Sequence, residues 1–371
     1  MLTRDAIIVR ARELGFADIG FTTVEPFETQ RRILLERWEL YDWTVARGMD
    51  LMPGTDPAAV CPQAKTIVVL LENYFKQGFP AEMTGKFGRL YLEDDRVTKD
   101  RLQKRLKTFR HFLREDGIES YILPYLPHRH AAARAGLGTF GKNCLLYANR
   151  GVRQGSWVTA LGLLIDRAFA PDAPTTEVGC PSWCRDACLA ACPTRALTAP
   201  RKIDPRRCIS YLTYFGEGLT PRELREPMGM WVYGCDHCQN VCPRNQAWLA
   251  QELPENERAA AMAPDFALAN LLHMDAAYFQ NRIWPYMFYM PVAEIWRWQM
   301  NAARAMGNSR DPVFVPDLAR ALGENADERV RGMAAWALGR VGGPAARRAL
   351  EAAVGREGLV GQEAREALER L

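Results

Sequence analysis

The first 170 residues alternate between amphipathic helical segments and short apolar runs. Residues 3–14 repeat their apolar positions with the period of a helix, so they predict an amphipathic helix. The segment Thr66–Leu71 is apolar at nearly every position, which is typical of a strand that is buried on both faces. Further strands are predicted at 18–21, 121–123 and 158–165. This alternation predicts an α/β or α+β domain over residues 1–170.

Residues 99–115 predict a basic amphipathic helix. Its inner stripe consists of Leu102, Leu106, Phe109 and Leu113, and most of its lysines and arginines lie outside that stripe. A solvated helix face is the ordinary interpretation of this charge pattern. Contact with nucleic-acid phosphates is the alternative.

The C-terminal region carries an internal repeat. Ala302–Gly307 matches Ala334–Gly339 at an offset of 32 residues, and Pro312 and Leu318 recur at the same offset. Helix pairs at this period are typical of HEAT-type arrays, and two repeats cannot stand alone, so we expect them to pack on the preceding domain. The array has a basic character that would suit a tRNA stem or a protein partner, from Arg304, Arg310, Arg329, Arg331, Arg340, Arg347 and Arg348.

The composition is that of an ordinary globular protein. The 371 residues are 48% hydrophobic and 25% charged, with a net charge of +4 that is too small to indicate nucleic-acid binding by itself. The charged N-terminus lacks the apolar core of a secretory signal, and no apolar run is long enough to span a membrane. We therefore expect a cytoplasmic protein without a membrane partner.

Cysteines dominate the segment that follows the predicted α/β part. Eight of the ten cysteines lie between residues 180 and 242, and in a reducing compartment that density indicates metal ligation rather than disulfides. They form two motifs, each ending in Cys-Pro, with one more cysteine between them: Cys180-x3-Cys184-x3-Cys188-x3-Cys192-Pro193, then Cys208, then Cys235-x2-Cys238-x3-Cys242-Pro243.

This spacing predicts two [4Fe–4S] clusters with crossed ligation. A cysteine just before proline usually reaches the other cluster of a two-cluster ferredoxin. We therefore assign one cluster to Cys180, Cys184, Cys188 and Cys242, and the other to Cys192, Cys208, Cys235 and Cys238. Two zinc sites are the alternative, although zinc ribbons have no need of the repeated Cys-Pro. Cys61 and Cys144 lie in apolar contexts and are expected to be core residues.

The run Gly136-x-Gly138-x-x-Gly141 matches the letters of a dinucleotide-binding fingerprint. That fingerprint requires a strand, a turn and then a helix, whereas here a helix predicted over 131–135 comes first and a strand-like segment, Leu145–Tyr147, follows. We interpret the glycines as a tight backbone loop.

Several segments around the cysteines resemble the epoxyqueuosine reductases, a family that uses cobalamin and two [4Fe–4S] clusters to deoxygenate the epoxide precursor of queuosine in tRNA. The resemblance covers the chain from about residue 40 to its end. It is carried by Asn73–Tyr74, Ala135–Asn143, Gly155–Trp157, Arg207–Thr213, Tyr233–Gln239 and Ala305–Asn308.

The resemblance implies an α+β fold in three parts. These are an α/β-type cobalamin-binding domain over 1–170, a ferredoxin-like double-cluster module over 171–250 and HEAT-like helices over 251–371. It further implies that cobalamin lies between the first part and the clusters, with Lys142, Ser210, Tyr211 and Asp236 as candidate contacts. The glycine loop at 136–141 is then a candidate neighbour of the corrin ring.

One catalytic residue of the family is absent from its expected place. Family members carry an aspartate proton donor about fourteen residues before the position of Gly136, whereas residues 121–130 of this chain contain no aspartate or glutamate. Histidine titrates near neutral pH and phenols can also donate protons. The candidate proton donors are therefore Tyr121, Tyr125, His128 and His130.

These features predict an oxidoreductase that resembles epoxyqueuosine reductase, with epoxyqueuosine in tRNA as the leading substrate. An external donor of the ferredoxin or flavodoxin type would supply its electrons. Because the aspartate is missing, reduction of another small electrophile is an alternative. A second alternative is an electron-transfer protein, or a reductase of a partner's corrinoid, with no substrate of its own.

Overall fold

The computed structural model describes residues 1–92, 94–149, 155–175 and 179–371. Within these ranges, no helix combines the length and the apolarity that a membrane crossing requires. The part that ends at residue 165 contains the helices α1 (Arg4–Glu13), α2 (Glu28–Glu36), α3 (Trp43–Ala46), α4 (Pro57–Val60), α5 (Arg89–Leu92), α6 (Leu102–Glu115) and α7 (His128–Arg134). Its strands are β1 (Asp18–Thr22), β2 (Thr66–Asn73), β3 (Ser120–Tyr121), β4 (Gly138–Phe140), β5 (Leu146–Ala148) and β6 (Val158–Ile165).

Four of these strands form one antiparallel sheet in the order β1-β2-β6-β3. Strand β2 lies in the centre, and its register with β6 runs from Thr66 opposite Ile165 to Asn73 opposite Val158. The antiparallel ladders decide between the two predicted classes, because a parallel α/β sheet would need helical crossovers between paired strands. The fold is α+β.

The predicted two-sided burial of β2 is confirmed. Ile67, Val69 and Leu71 face an apolar cluster that includes the alanines of α7. Val68 and Leu70 face a second cluster, which contains the inner stripes of α1 and α6. Helices therefore cover both faces of the sheet, and α7 is held directly against its centre.

Two helices begin at positions that differ from the predictions, for local reasons. Helix α6 starts at Leu102 rather than at residue 99, because the buried Asp95 carboxylate accepts hydrogen bonds from the backbone N–H groups of Arg101 (2.7 Å) and Gln103 (3.2 Å). Helix α7 starts at His128 rather than at residue 131, since the Pro127 carbonyl accepts the hydrogen bond from the Ala131 N–H (2.9 Å). Both candidate histidines therefore lie inside a helix.

The cysteine-rich part is built from short pieces. They are α8 (Ala187–Ala190), β7 (Leu197–Ala199), β8 (Lys202–Ile203), α9 (Ile209–Tyr214), α10 (Arg222–Arg225), α11 (His237–Asn240) and α12 (Gln246–Leu249). Such short elements cannot bury much apolar surface by themselves, which suits a segment whose organisation depends on metal.

The C-terminal part is entirely helical in the described residues. It comprises α13 (Glu257–Met262), α14 (Leu268–His273), α15 (Ala276–Tyr278), a π-helical turn (Phe279–Ile283), α16 (Ile295–Ser309), α17 (Val315–Glu324), α18 (Glu328–Val341), α19 (Pro344–Glu351) and α20 (Gly358–Leu368). The repeat seen in the sequence is the pair α16–α17 followed by the pair α18–α19.

The glycines of the repeat mark where successive helices cross. A Cβ at Gly307 would lie 2.8 Å from Ala337 Cα, and one at Gly339 would lie 2.7 Å from Ala367 Cβ. The two equivalent positions thus make the same contact, α16 with α18 and α18 with α20. The small residues of the repeat allow this close stacking, as the array interpretation predicts.

Arg304 does not contribute to a basic surface, which corrects the sequence-based expectation. Its side chain is fully buried, and its guanidinium donates to the backbone carbonyls of Gly229 (2.6 Å) and Trp231. One helix turn further on, Asn308 donates to the carbonyls of Arg225 and Gly229, each at 2.8 Å. Helix α16 is therefore fastened to the segment that leads into Cys235.

Candidate iron–sulfur and catalytic site

The first group of cysteines joins one motif to the last cysteine of the other. Cys180, Cys184 and Cys188 come from the loop before α8 and from α8 itself, whereas Cys242 follows α11. Burial, together with the smaller effect of the neighbouring charges of Cys180, Cys242 and Cys184, raises the pKa of Cys188 to about 11. The four thiols are thus close enough to affect each other's ionisation.

The second group gathers the other four cysteines. Burial raises the pKa of Cys238 well above its usual range, and the charges of Cys208 and Cys192 add to the effect. Burial likewise raises the pKa of Cys235, with Cys208 and Cys238 as charged neighbours. Buried thiols that are costly to ionise in isolation are suited to metal, because a bound cation stabilises the thiolate.

The charge of Cys188 also raises the pKa of Cys238, which places the two groups side by side. All ten cysteines are free thiols. Among the described residues, no three His, Cys, Asp or Glu side chains are arranged to hold a single metal ion. The ligand sets remain the ones predicted from the spacing, and the structure brings the members of each set together.

Hydrogen-bond donors approach cysteine sulfurs in both groups. The backbone N–H groups of Lys142 and Ala196 each lie 3.2 Å from a sulfur, that of Cys180 and that of Cys192 respectively. The His237 N–H lies 3.5 Å from the Cys235 sulfur, and the Tyr147 hydroxyl lies 3.1 Å from the sulfur of Cys242. Donors to cluster sulfurs are one of the means by which proteins set reduction potentials.

The glycine-rich run, predicted as a tight backbone loop, forms a turn after α7 and then the first strand of a β-hairpin. It leads from α7 into the pair β4–β5, so the strand–turn–helix order of a dinucleotide site is absent from this segment, all of which is described. Gly136 has a positive φ of 69°, and a Cβ there would lie 2.5 Å from the Ala173 carbonyl oxygen. A Cβ at Gly141 would lie 2.3 Å from the Tyr147 ring. Contacts with Ala173 and Tyr147 are therefore enough to require glycine at these two positions. They give no support to the expectation that the corrin lies against this loop.

The two histidine candidates are held as neutral rings. The Gly162 N–H donates to His128 Nδ1 (2.9 Å), which leaves the proton of a neutral ring on Nε2. Burial, together with the smaller effect of the charges of Arg129 and Arg96, lowers the pKa of His128 to about 4. Burial also lowers the pKa of His130 to about 4. Neither ring is an imidazolium at neutral pH, so neither is suited to act as a strong acid there.

The two tyrosine candidates occupy different surroundings. Tyr121 ends β3, where it pairs with Leu164 and packs against the apolar cluster beneath the sheet. Tyr125 is 41% exposed, has a positive φ of 60°, and donates its hydroxyl hydrogen to the Gly48 carbonyl (2.9 Å). Left-handed backbone at a non-glycine residue is costly and occurs preferentially at functional sites. Ile122, about fourteen residues before Gly136, is 55% exposed.

The four candidate cofactor contacts are divided between the two cysteine groups. The Lys142 ammonium donates to the Cys184 carbonyl (3.1 Å) and pairs with Asp186, so it lies at the first group. Ser210 hydrogen-bonds to Cys208, and the buried Tyr211 packs its edge on Trp43, with ring centroids 4.8 Å apart. Both lie at the second group.

Asp236 also lies at the second group. Its Oδ2 accepts a hydrogen bond from the Arg89 N–H (2.8 Å). Burial raises the pKa of this carboxyl to about 6, against the lowering effect of Arg89.

The linear pattern did not reveal the contacts of three residues near these groups. The Tyr147 hydroxyl reaches Cys242, although only a strand was predicted at that position. Arg129 donates to the Cys144 carbonyl (2.7 Å), and Arg96 binds Asp94 and Tyr289 while its charge reaches His128. Of these three residues, only Arg129 could have been identified from the sequence, because it stands between the candidate residues His128 and His130.

Two family models match parts of the chain. A model described as a 4Fe-4S double cluster binding domain matches residues 180–245, and a HEAT-repeat model matches residues 295–369. The first range contains all eight clustered cysteines, and the second contains the stacked helices α16–α20.

Curated relatives match almost the whole chain. The epoxyqueuosine reductase of Bacillus cereus is 30% identical over 95% of this chain and 92% of its own length. The epoxyqueuosine reductases of Bacillus subtilis and Escherichia coli are each 31% identical, over 95% and 88% of this chain and 92% and 86% of their own lengths.

Solved structures agree with these matches. An epoxyqueuosine reductase from Bacillus subtilis, with an aspartate-bearing catalytic loop swung out of its active site, superposes with a TM-score of 0.81 and 27% identity, covering 99% of this chain and 98% of its own. An epoxyqueuosine reductase bound to an epoxyqueuosine-modified stem loop of tyrosine tRNA gives a TM-score of 0.81 and 28% identity over the same shares of the two chains.

Proposed function

Because the chain belongs to the epoxyqueuosine reductase family, we propose that it reduces the epoxide of epoxyqueuosine in tRNA to give queuosine. The carrying observation is the near full-length match together with eight cysteines gathered into two groups. Removal of the epoxide oxygen consumes two electrons and two protons, and the oxygen leaves as water. Because a [4Fe–4S] cluster carries one electron at a time, two adjacent clusters suit this reaction.

We propose that cobalamin binds beside the second cysteine group, as the resemblance implies. The residues there fit a corrin with an amide-rich rim, since Asp236 offers a carboxylate and Ser210 a hydroxyl close to Cys208. When bound, the cobalt supplies a strongly reducing, nucleophilic centre. The contacts of Lys142 support a role in holding the loop of the first cluster instead.

The reaction is tested with the anaerobically purified, cluster-loaded chain. The chain is supplied with cobalamin, excess reductant and epoxyqueuosine-containing tRNA. We expect it to convert the modified nucleoside in the tRNA to one that is lighter by one oxygen atom, which mass spectrometry detects after the tRNA has been digested. A variant with Cys238 replaced by alanine serves as the inactive control. An unchanged nucleoside, despite full iron content and bound cobalamin, would favour another small electrophile as the substrate.

For the proton donor, we propose Tyr125 among the four candidates. Its exposed side chain and its left-handed backbone favour this role. In contrast, both histidines are neutral, and Tyr121 packs against the core of the sheet. A positioned phenol can act as a general acid. The Tyr125 hydroxyl, which donates to the Gly48 carbonyl in this structure, would then donate its proton to the departing epoxide oxygen.

Replacing Tyr125 by phenylalanine should lower turnover by about 100-fold, the effect typical of losing a general acid. We expect iron content and cobalamin binding, followed by the visible spectrum, to remain at the level of the parent protein. Tyr121→Phe is the matched control and should retain activity. Full turnover of the Tyr125→Phe variant would rule out this assignment and return attention to the other candidates.

A further inference from the structure

The loop of the first cysteine group presents a large apolar side chain to solvent. Trp183 stands directly before Cys184 and is 67% exposed, more than any other large apolar residue of the described chain except Met1. Tryptophan is enriched at protein interfaces, and exposure of such a ring is unfavourable in an isolated protein. The exposed ring therefore indicates a protein-binding surface beside this cysteine group.

The corresponding loop of the second group is shielded. Between Cys235 and Cys242 only Asn240 is exposed, whereas Ser182, Trp183 and Arg185 are all exposed in the first loop. Electron transfer between proteins weakens steeply with distance, so a docked partner must approach the more accessible of two clusters. The first cluster is therefore the better point of entry.

The segment that carries the exposed tryptophan is predominantly basic. The segment 180–202 contains the basic residues Arg185, Arg195, Arg201 and Lys202 and a single acidic residue, Asp186. Asp186 is already paired with Lys142. The Arg201 N–H donates to the Lys142 carbonyl (2.8 Å), and the Lys142 ammonium donates to the Cys184 carbonyl (3.1 Å), so Arg201 is joined to the cluster loop.

We propose that Trp183, Arg185, Arg201 and Lys202 form the docking surface for an acidic one-electron carrier protein. The inference rests on the proposed function, which requires an external source of electrons. In each encounter the reduced carrier loses one electron and the first cluster passes from the 2+ to the 1+ state. No bond or proton is exchanged, and two encounters supply the pair of electrons that one epoxide needs.

The test measures reduction of the clusters rather than of tRNA. Cluster-loaded chain, without cobalamin or tRNA, is mixed anaerobically with the hydroquinone form of an acidic flavodoxin, and loss of the cluster absorbance is followed by stopped flow. Trp183→Ala and Arg201→Glu should each lower the second-order rate constant by about tenfold or more, because apolar anchoring and electrostatic steering are lost. Added salt should slow the parent protein more than the Arg201→Glu variant.

Matched controls separate docking from damage to the clusters. Trp284→Ala removes a tryptophan that is 38% exposed in the helical part, and Arg347→Glu reverses an exposed charge of α19. We expect both to react with flavodoxin within about twofold of the parent rate, since mutations outside a docking surface affect association little. Because dithionite needs no docking surface, it should reduce the Trp183→Ala variant at the parent rate. As a small anion it should be slowed by Arg201→Glu much less than flavodoxin is.

Equal rates with flavodoxin for the parent, Trp183→Ala and Arg201→Glu would overturn the proposal. Equal slowing with flavodoxin and dithionite in the Arg201→Glu variant would overturn it as well, because Arg201 lies outside the cysteine loop and would then act on the cluster itself. Failure of the proposed tRNA reduction leaves this readout unaffected, since neither substrate nor cobalamin is present.

Discussion

Replacing Cys242 by alanine will remove the cluster assigned to Cys180, Cys184 and Cys188, although Cys242 stands in the other motif. The iron content should fall from about eight to about four atoms per chain, and reduction of tRNA should stop because one step of the electron route is lost. The physical reason is the position of Cys242, whose charge raises the pKa of Cys188 together with the charges of Cys180 and Cys184.

The reciprocal prediction concerns Cys192, the last cysteine of the first motif. Cys192 belongs to the first motif, yet its charge acts on Cys208 and Cys238 of the second group. Its replacement by alanine should therefore remove the second cluster and leave the first.

Electron paramagnetic resonance of the reduced variants shows which cluster has been lost. The spectrum of Cys242→Ala should match that of Cys184→Ala, and the spectrum of Cys192→Ala should match that of Cys238→Ala. Cys61→Ala is the control, since Cys61 is buried beneath the sheet and should leave all eight irons in place. A Cys242→Ala spectrum that matches Cys238→Ala would show that each motif binds its own cluster.

Local sequence patterns predicted the parts of the fold that depend on local physics. The run Thr66–Leu71 could be assigned to a central strand because a strand covered on both faces has no polar side. The 32-residue repeat predicted a HEAT-type array, and in the fold its glycines, Gly307 and Gly339, lie where successive helices cross too closely for larger side chains. The spacing of the cysteines predicted the groups because one short loop can supply three ligands.

Residues whose roles depend on distant contacts could not be predicted in this way. Arg304 has the sequence context of an exposed arginine, yet carbonyls from a segment about 75 residues earlier surround it. Similarly, the spacing of His128 gives no sign that a strand amide, Gly162, fixes its tautomer. The exposed Trp183 is hidden among ligands in the sequence, and only the folded loop shows that it faces solvent.

The ion pair between Arg225 and Glu363 links the cysteine-rich part to the last helix. Arg225 of α10 donates to both carboxylate oxygens of Glu363 in α20, each at 2.8 Å, and also to the Thr220 carbonyl. Both charged side chains are almost completely buried. Arg222 contacts the same carboxylate. Since α10 lies between Cys208 and Cys235, the pair holds the frame of the second cysteine group against the repeat array.

Replacing Glu363 by alanine should lower the free energy of unfolding by about 3–5 kcal/mol, because the buried Arg225 guanidinium loses the carboxylate that accepts two of its hydrogen bonds. The matched control is Glu226→Ala. That carboxylate is 62% exposed and pairs with Arg340, so its loss should cost about 1 kcal/mol or less. Urea-induced unfolding of the cluster-loaded proteins under anaerobic conditions, followed by circular dichroism, measures both. Similar unfolding midpoints for the two variants would show that the buried pair adds nothing beyond a surface ion pair, and that apolar stacking of α16, α18 and α20 alone secures the array.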